Sequence, residues 1–262
     1  MRVPAGYADI VPRVLSGAVL ALLGLGAILL GGWWFRAAVF VVVAAIAWEL
    51  VRMLGPVLAP RLLIIGAAAS GALVIAAGHV DPFAAPLLLA VPALIVLTLS
   101  SPHRLPVAGY LVLVCLGGHG ILTLREGFGA AWLLWLVLVV VGSDMAGYFA
   151  GRALGGPKLW PRVSPKKTWS GTLAGWAVAV AIALAFLVPL GAGWGLMLLS
   201  LAVCIAGQAG DIAESALKRR VGVKDSSQLI PGHGGVMDRF DAMLGAAVGF
   251  QLAVLGGLVA QG

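Results

Sequence analysis

Between Gly210 and Asp241 the sequence concentrates acids, cations and glycines. It reads Gly210-Asp211-Ile212-Ala213-Glu214-Ser215-Ala216-Leu217-Lys218-Arg219-Arg220, then Lys224-Asp225, then Pro231-Gly232-His233-Gly234-Gly235-Val236-Met237-Asp238-Arg239-Phe240-Asp241. If the first run is the end of a helix, Asp211, Ser215 and Lys218 fall at i, i+4 and i+7 and share a face. Asp238 and Asp241 share another if a helix begins beside them. Hard cations such as Mg²⁺ take oxygen ligands, so Asp211, Asp238 and Asp241 are candidate metal ligands. A metal together with Lys and Arg side chains would grip phosphates. That combination suits phosphoryl or nucleotidyl transfer, where alignment and charge neutralisation supply most of the catalysis. The glycines around His233 would let backbone N–H groups approach an anion closely. His233 could itself bind phosphate, shuttle a proton, or hold the glycine turn.

A second cluster is Ser164-Pro165-Lys166-Lys167-Thr168-Trp169-Ser170-Gly171, with Asp144 and Tyr148 upstream. Two lysines flanked by hydroxyls make a phosphate grip. Taken alone, a basic stretch at a helix end is as readily explained by headgroup contact. Gly147, Tyr148 and Gly151 follow Asp144 at i+3, i+4 and i+7, and the glycines are read as packing positions. Arg220 is read as a topological charge. Glu49 is assigned to a pairing with Arg52 at i+3. His79, His103 and His119 are scattered without metal-ligand spacing. Cys115 and Cys204 sit in apolar stretches and are read as core residues, with no disulfide or thiolate metal site expected.

These clusters must be positioned by membrane helices. Of the 262 residues, 61% are hydrophobic and only 10% charged, and the mean hydropathy is +1.07. Soluble domains carry roughly 25% charged residues. Apolar stretches fall near residues 15–31, 37–54, 62–77, 83–99, 107–124, 131–150, 172–190, 194–213 and 242–260. The expectation is an all-α polytopic integral membrane protein of about nine spans, since each needs about 20 apolar residues. The first stretch is expected to be retained rather than cleaved as a signal peptide. The 37 glycines suit close helix packing in lipid, and the nine tryptophans suit interface anchoring and core.

With nine spans and the N-terminus inside, 15 of the 17 Lys and Arg residues fall on the inside, leaving Arg36 and Arg125 outside. The positive-inside rule then predicts N-inside and C-outside, and it accounts for the net charge of +7 without nucleic acid. The division expected is an N-terminal helical region, 1–130, and a C-terminal catalytic region, 131–262. The latter carries inside loops at 151–171 and 214–241.

The series Ser215-x-Leu217-Lys218-Arg219, Lys224-Asp225 and Pro231-Gly232-His233-Gly234-Gly235-x-x-Asp238-Arg239-x-Asp241 resembles the signature of the phosphatidate cytidylyltransferase (CDP-diglyceride synthase) family. Gly210-Asp211-x-x-Glu214-Ser215 and Ser164-Pro165-Lys166-Lys167-Thr168, with Asp144 and Tyr148, fit as well. The motifs cover the C-terminal half; the N-terminal half is similar only as a run of membrane helices. One position departs: Ser170 stands where the family commonly has Glu.

The resemblance implies transfer of CMP from CTP to phosphatidic acid, releasing pyrophosphate and forming CDP-diacylglycerol. It also implies a homodimer among membrane lipids of a bacterial inner membrane, with the active site facing the cytoplasm. It further implies dependence on Mg²⁺, with a monovalent cation such as K⁺ as a second candidate. Asp211, Asp238 and Asp241 become the metal ligands. Lys218, Arg219 and His233 join them as catalytic candidates. Ser164, Lys166, Lys167, Thr168, Lys224, Arg239, Gly234, Gly235 and Asp144 become the substrate-binding set, undivided between CTP and lipid. Two other readings stay open: a CTP-dependent polyprenol or phytol kinase, and a cation-coupled transporter. The Asp-Gly…Ala-Arg…Gly…Asp…Asp series of CDP-alcohol phosphatidyltransferases is not found.

Overall fold

The computed structural model describes residues 10–56, 58–81 and 84–259. Arg2, counted in the topology above, lies outside the described residues, as do Phe83 and Ala260 at the ends of two expected spans. Among the described residues, nine α-helices lie at the nine apolar stretches: α1 Ile10–Leu30, α2 Gly32–Arg52, α3 Pro60–Ala77, α4 Ala85–Leu97, α5 Arg104–Thr123, α6 Ala130–Leu154, α7 Trp169–Phe186, α8 Gly195–Val221 and α9 Met237–Leu255. One π-helical turn, Leu124–Phe128, extends α5. A short antiparallel hairpin, β1 Lys158–Trp160 and β2 Ser164–Thr168, joins α6 to α7.

Among the described residues, six helices are long and apolar enough to cross a membrane, namely α2, α3, α5 with its π turn, α6, α7 and α8. The protein is an all-α polytopic membrane protein apart from the hairpin. α4 has 13 residues, so at 1.5 Å per residue it covers about 20 Å, short of a hydrocarbon layer about 30 Å thick. Leu22, Trp33, Leu87 and Leu198 are at least 70% exposed. An apolar face of this kind is what hydrocarbon solvates and water does not.

Both of the expected loops are shorter than the sequence predicts. α8 continues through Asp211, Glu214 and Lys218 to Val221, and α9 starts at Met237. The expected loop 214–241 therefore shrinks to residues 222–236. The polar residues at the end of α8 conceal it from a hydropathy reading, although backbone hydrogen bonding carries the helix on regardless of side-chain polarity. Likewise, the expected loop 151–171 contains the last turn of α6, the hairpin and the first turn of α7.

The chain forms two compact units. One comprises residues up to Cys115 together with Arg220–Phe240; the other comprises Leu116–Arg219 with the residues from Asp241 onward. In the first, α3 crosses α2 at Gly71, where an added Cβ would lie 2.8 Å from the Phe40 carbonyl oxygen.

In the second unit, helix crossings are built on small residues. A Cβ at Gly171 would lie 2.5 Å from the Gly147 carbonyl oxygen, well inside van der Waals contact, and one at Gly151 would lie 2.8 Å from Thr168 Oγ1. The packing role assigned to Gly147 and Gly151 is what the α6–α7 crossing uses. Lipid gives helices no hydrophobic drive to associate, so such close backbone contact supplies the attraction. Gly171→Ala is expected to destabilise this crossing by ~1–3 kcal/mol, the usual cost of overpacking. A lowered melting temperature in detergent would report it. Gly66→Ala, in open space, is the control, and equal melting of the two variants would contradict the crossing.

Candidate active site

The second unit holds a cavity of about 520 Å³ with charged side chains in its lining. Asp144 of α6, Lys166, Lys167 and Thr168 of β2, and Asp211 of α8 all line it. The hairpin delivers the lysines. Lys158 pairs with Thr168 and Trp160 with Ser164, and the Trp169 N–H donates to the Pro157 carbonyl at 3.0 Å. Thr168 then ends the strand as the N-cap of α7, its Oγ1 accepting from the Gly171 N–H at 3.2 Å. A threonine hydroxyl at this place satisfies one of the donors a helix start leaves open. Thr168 is thus a buried structural residue as well as a cavity residue.

Inside the cavity, Lys167 Nζ lies 2.6 Å from Asp211 Oδ2, both side chains about one-quarter exposed (26% and 24%). Asp144 and Asp241 are electrostatic neighbours of Asp211, of each other and of Lys167. One ammonium thus pairs with Asp211 and also acts electrostatically on Asp144 and Asp241. Asp241 reaches this group because α9 runs hard against α8. A Cβ at Gly210 would lie 2.6 Å from the Asp241 carbonyl oxygen, and one at Gly245 2.5 Å from that of Ala206. The glycine that precedes Asp211 is what admits Asp241. Asp211 also accepts a long hydrogen bond, 3.5 Å, from Ser215 Oγ, as the i, i+4 spacing anticipates.

Could these residues hold Mg²⁺? Among the described residues, no three His, Cys, Asp or Glu side chains converge as a ready-made metal shell. The donor set is all oxygen, however, and a cation already stands beside Asp211 in the form of the Lys167 ammonium. Mg²⁺ keeps several waters and uses one or two carboxylates plus substrate phosphates. The set fits that mode, with Asp211 as the principal donor and Asp144 and Asp241 nearby.

Other predicted residues of this unit lie elsewhere. Lys218 is buried and bonded to Glu214 Oε1 at 2.8 Å. Arg219 is exposed. Ser164 pairs across the hairpin and is not among the cavity-lining residues. Ser170, at the position where an acid was expected, donates its hydroxyl hydrogen to the Gly155 carbonyl oxygen and bonds Thr168 Oγ1 at 3.0 Å. It ties the end of α6 to the start of α7.

The remaining predicted residues belong to the first unit, in the 222–236 loop and the start of α9. Asp238 Oδ2 accepts from the Gly235 N–H at 2.8 Å, the Ser226 N–H at 3.1 Å and Ser226 Oγ at 3.1 Å. The anion that the Gly235 N–H meets is therefore Asp238 itself. Gly234 adopts φ +83°, a region that side chains other than glycine's rarely tolerate. His233 Nδ1 pairs with Ser16 Oγ at 2.7 Å, and its carbonyl oxygen accepts from Arg239 Nε at 3.1 Å. These contacts are those a turn-holding residue makes. Lys224 lines a separate cavity of about 690 Å³ with Arg52, Asp225 and Ser227.

Glu49 is a correction. It does not serve Arg52, whose guanidinium lies 4.3 Å from the Trp48 ring centroid. Its carboxylate instead receives Ser226, Ser227 and the backbone of Val236 and Met237. A lone acid in an apolar span demands a partner, and that was the available signal. Helical spacing pointed to the wrong one.

Fold and cavity together define a polytopic helical membrane protein with an internal cluster of carboxylates and lysines suited to phosphate. The model of the Cytidylyltransferase family matches residues 11–255, and the chain belongs to that family. It is 53% identical over 124 residues to a protein of Brucella suis biovar 1 named phosphatidate cytidylyltransferase, covering 47% of this chain and 46% of that one. Proteins of the same name from Haemophilus influenzae (46% over 125 residues; 45% and 43% covered) and Bacillus subtilis (40% over 123; 45% and 45%) are also similar. The chain spans about half the length of the curated relatives it matches.

Proposed function

We propose that the protein is a phosphatidate cytidylyltransferase, transferring CMP from CTP to phosphatidic acid and releasing pyrophosphate. The observation that carries this reading is the cavity in which Lys166 and Lys167 face Asp144 and Asp211, in a chain of the cytidylyltransferase family. The name borne by the relatives, phosphatidate cytidylyltransferase, supports the choice of acceptor.

In the proposed reaction a phosphate oxygen of phosphatidic acid attacks the α-phosphorus of CTP in line. The new P–O bond forms as the bond to the bridging α–β oxygen breaks, and pyrophosphate carries away the electron pair. The acceptor is already an anion near neutral pH, so no general base is required. Lys167 can turn from Asp211 to a phosphate oxygen, and Lys166 beside it adds a second positive charge where negative charge accumulates. Mg²⁺, when bound, would neutralise phosphate charge, and Asp211 with Asp144 and Asp241 would hold it. Asp238 and a monovalent cation remain part of the proposal; Asp238 Oδ2 also holds the 222–236 loop.

The proposed setting is a homodimer in a bacterial inner membrane, N-terminus inside, with the cavity facing the cytoplasm. Placing 15 of 17 basic residues inside supports that orientation. CTP is cytosolic and highly charged, whereas phosphatidic acid can enter laterally from the leaflet.

Product analysis tests the function. Purified protein with Mg²⁺, CTP and phosphatidic acid should yield pyrophosphate and a CDP-lipid in equal amounts. CDP with a newly phosphorylated lipid would instead identify a kinase. Solute uptake by sealed vesicles without CTP turnover would identify a transporter.

A further inference from the structure

The Glu49 side chain in α2 is fully buried (0% exposed), and its two oxygens receive four hydrogen bonds. Ser227 Oγ (2.5 Å) and the Val236 N–H (2.8 Å) donate to Oε1. Ser226 Oγ (3.0 Å) and the Met237 N–H (2.8 Å) donate to Oε2. A carboxylate has about four acceptor sites, and here the four donors come from the 222–236 loop and the first residue of α9. The two N–H groups belong to a helix start, where donors are left open and negative charge is favoured. Ser226 extends the arrangement, because its N–H and Oγ also reach Asp238 Oδ2. An apolar residue would pack in α2 at far lower desolvation cost. What the buried charge secures is the shape of the loop and the direction in which α9 sets out.

We propose that Glu49 is a positioning residue: through Ser226, Ser227 and the α9 N-terminus it holds the loop leading to Asp238 and Arg239, which the family resemblance assigns to the metal and the substrate. This rests on the reading that the protein uses CTP. Glu49 touches no substrate in this scheme and acts only through the loop.

Glu49→Gln tests it. The amide keeps one acceptor oxygen, so whichever way it turns, two of the four donors face an NH₂ group. Losing two net hydrogen bonds should raise the KM for CTP by about tenfold or more, with a smaller change in kcat. Glu49→Asp keeps the charge at shorter reach and should recover part of the loss. Trypsin cleavage after the exposed Lys224, mapped by mass spectrometry, should quicken in Glu49→Gln. Ser227→Ala, which leaves the buried charge in place, should shift KM the same way by a smaller factor, and it decides the matter if Glu49→Gln does not fold. Faster cleavage with an unchanged KM would reduce Glu49 to a structural role and overturn the proposal. So would unchanged cleavage at Lys224, or an unchanged KM in a folded Ser227→Ala when Glu49→Gln is lost. A wild-type protein that forms no CDP-lipid would sink the functional reading alone; the cleavage comparison would still judge the hold of Glu49 on the loop.

Discussion

Asp211→Asn is expected to cut CDP-lipid formation by about 10²–10³-fold, the range seen when one preorganised charge-stabilising group is removed from an active site. The substitution keeps the shape and the acceptor oxygen that Ser215 Oγ reaches. It removes the charge that pairs with Lys167 at 2.6 Å and the principal oxygen donor for a cation. Folding should survive. Asp211 stands among two other carboxylates, Asp144 and Asp241, and neutralising one of three like charges relieves repulsion rather than creating it. The expected result is therefore lost turnover with an unchanged or raised melting temperature in detergent. Radiolabelled CTP incorporation and thermal unfolding measure the two halves. Activity at more than about a third of wild type would refute the carboxylate cluster as the reacting site, since no group that neutralises phosphate charge is worth so little.

Gly235→Ala is expected to have the next largest effect. A Cβ there would lie 1.8 Å from Ser226 Oγ and 2.6 Å from Glu49 Oε1, deep inside van der Waals contact. Neither neighbour can yield cheaply, because Ser226 is bonded to Asp238 and Glu49 is fully buried. Overpacking of this kind costs roughly 1–3 kcal/mol, equivalent to about 10–100-fold in an equilibrium constant. The loop should open, and CTP turnover should fall by a similar factor. Gly24→Ala in α1, with nothing within 4 Å, should leave both stability and turnover unchanged. If the two alanine variants behave alike, the 222–236 loop does not have the tight form described.

The glycine-rich signature thus has a physical meaning that its sequence only partly discloses. Glycine between two polar residues suggests close approach of the backbone to an anion. The anions that Gly235 approaches are the protein's own, Asp238 and Glu49. Similarly, Gly210 was visible as the neighbour of Asp211, but its use as the point where α9 passes α8 depends on a residue 31 positions later, Asp241.

What the sequence determined by itself is local or compositional. Among the described residues the apolar stretches are helical, because a segment surrounded by hydrocarbon must satisfy its backbone internally. The i, i+4 relation of Asp211 and Ser215 followed from helical geometry alone. The family resemblance, carried by fixed spacings between Ser215 and Asp241, is of the same kind. Only the tertiary structure decided the rest, since each remaining feature joins residues far apart in the chain. These are the union of Lys167 with Asp211, Asp144 and Asp241, and the turn of Glu49 away from Arg52 toward residues 226–237. A buried charge takes the partner that packing brings within about 3 Å, and periodicity along one helix carries no information about which other segment that will be.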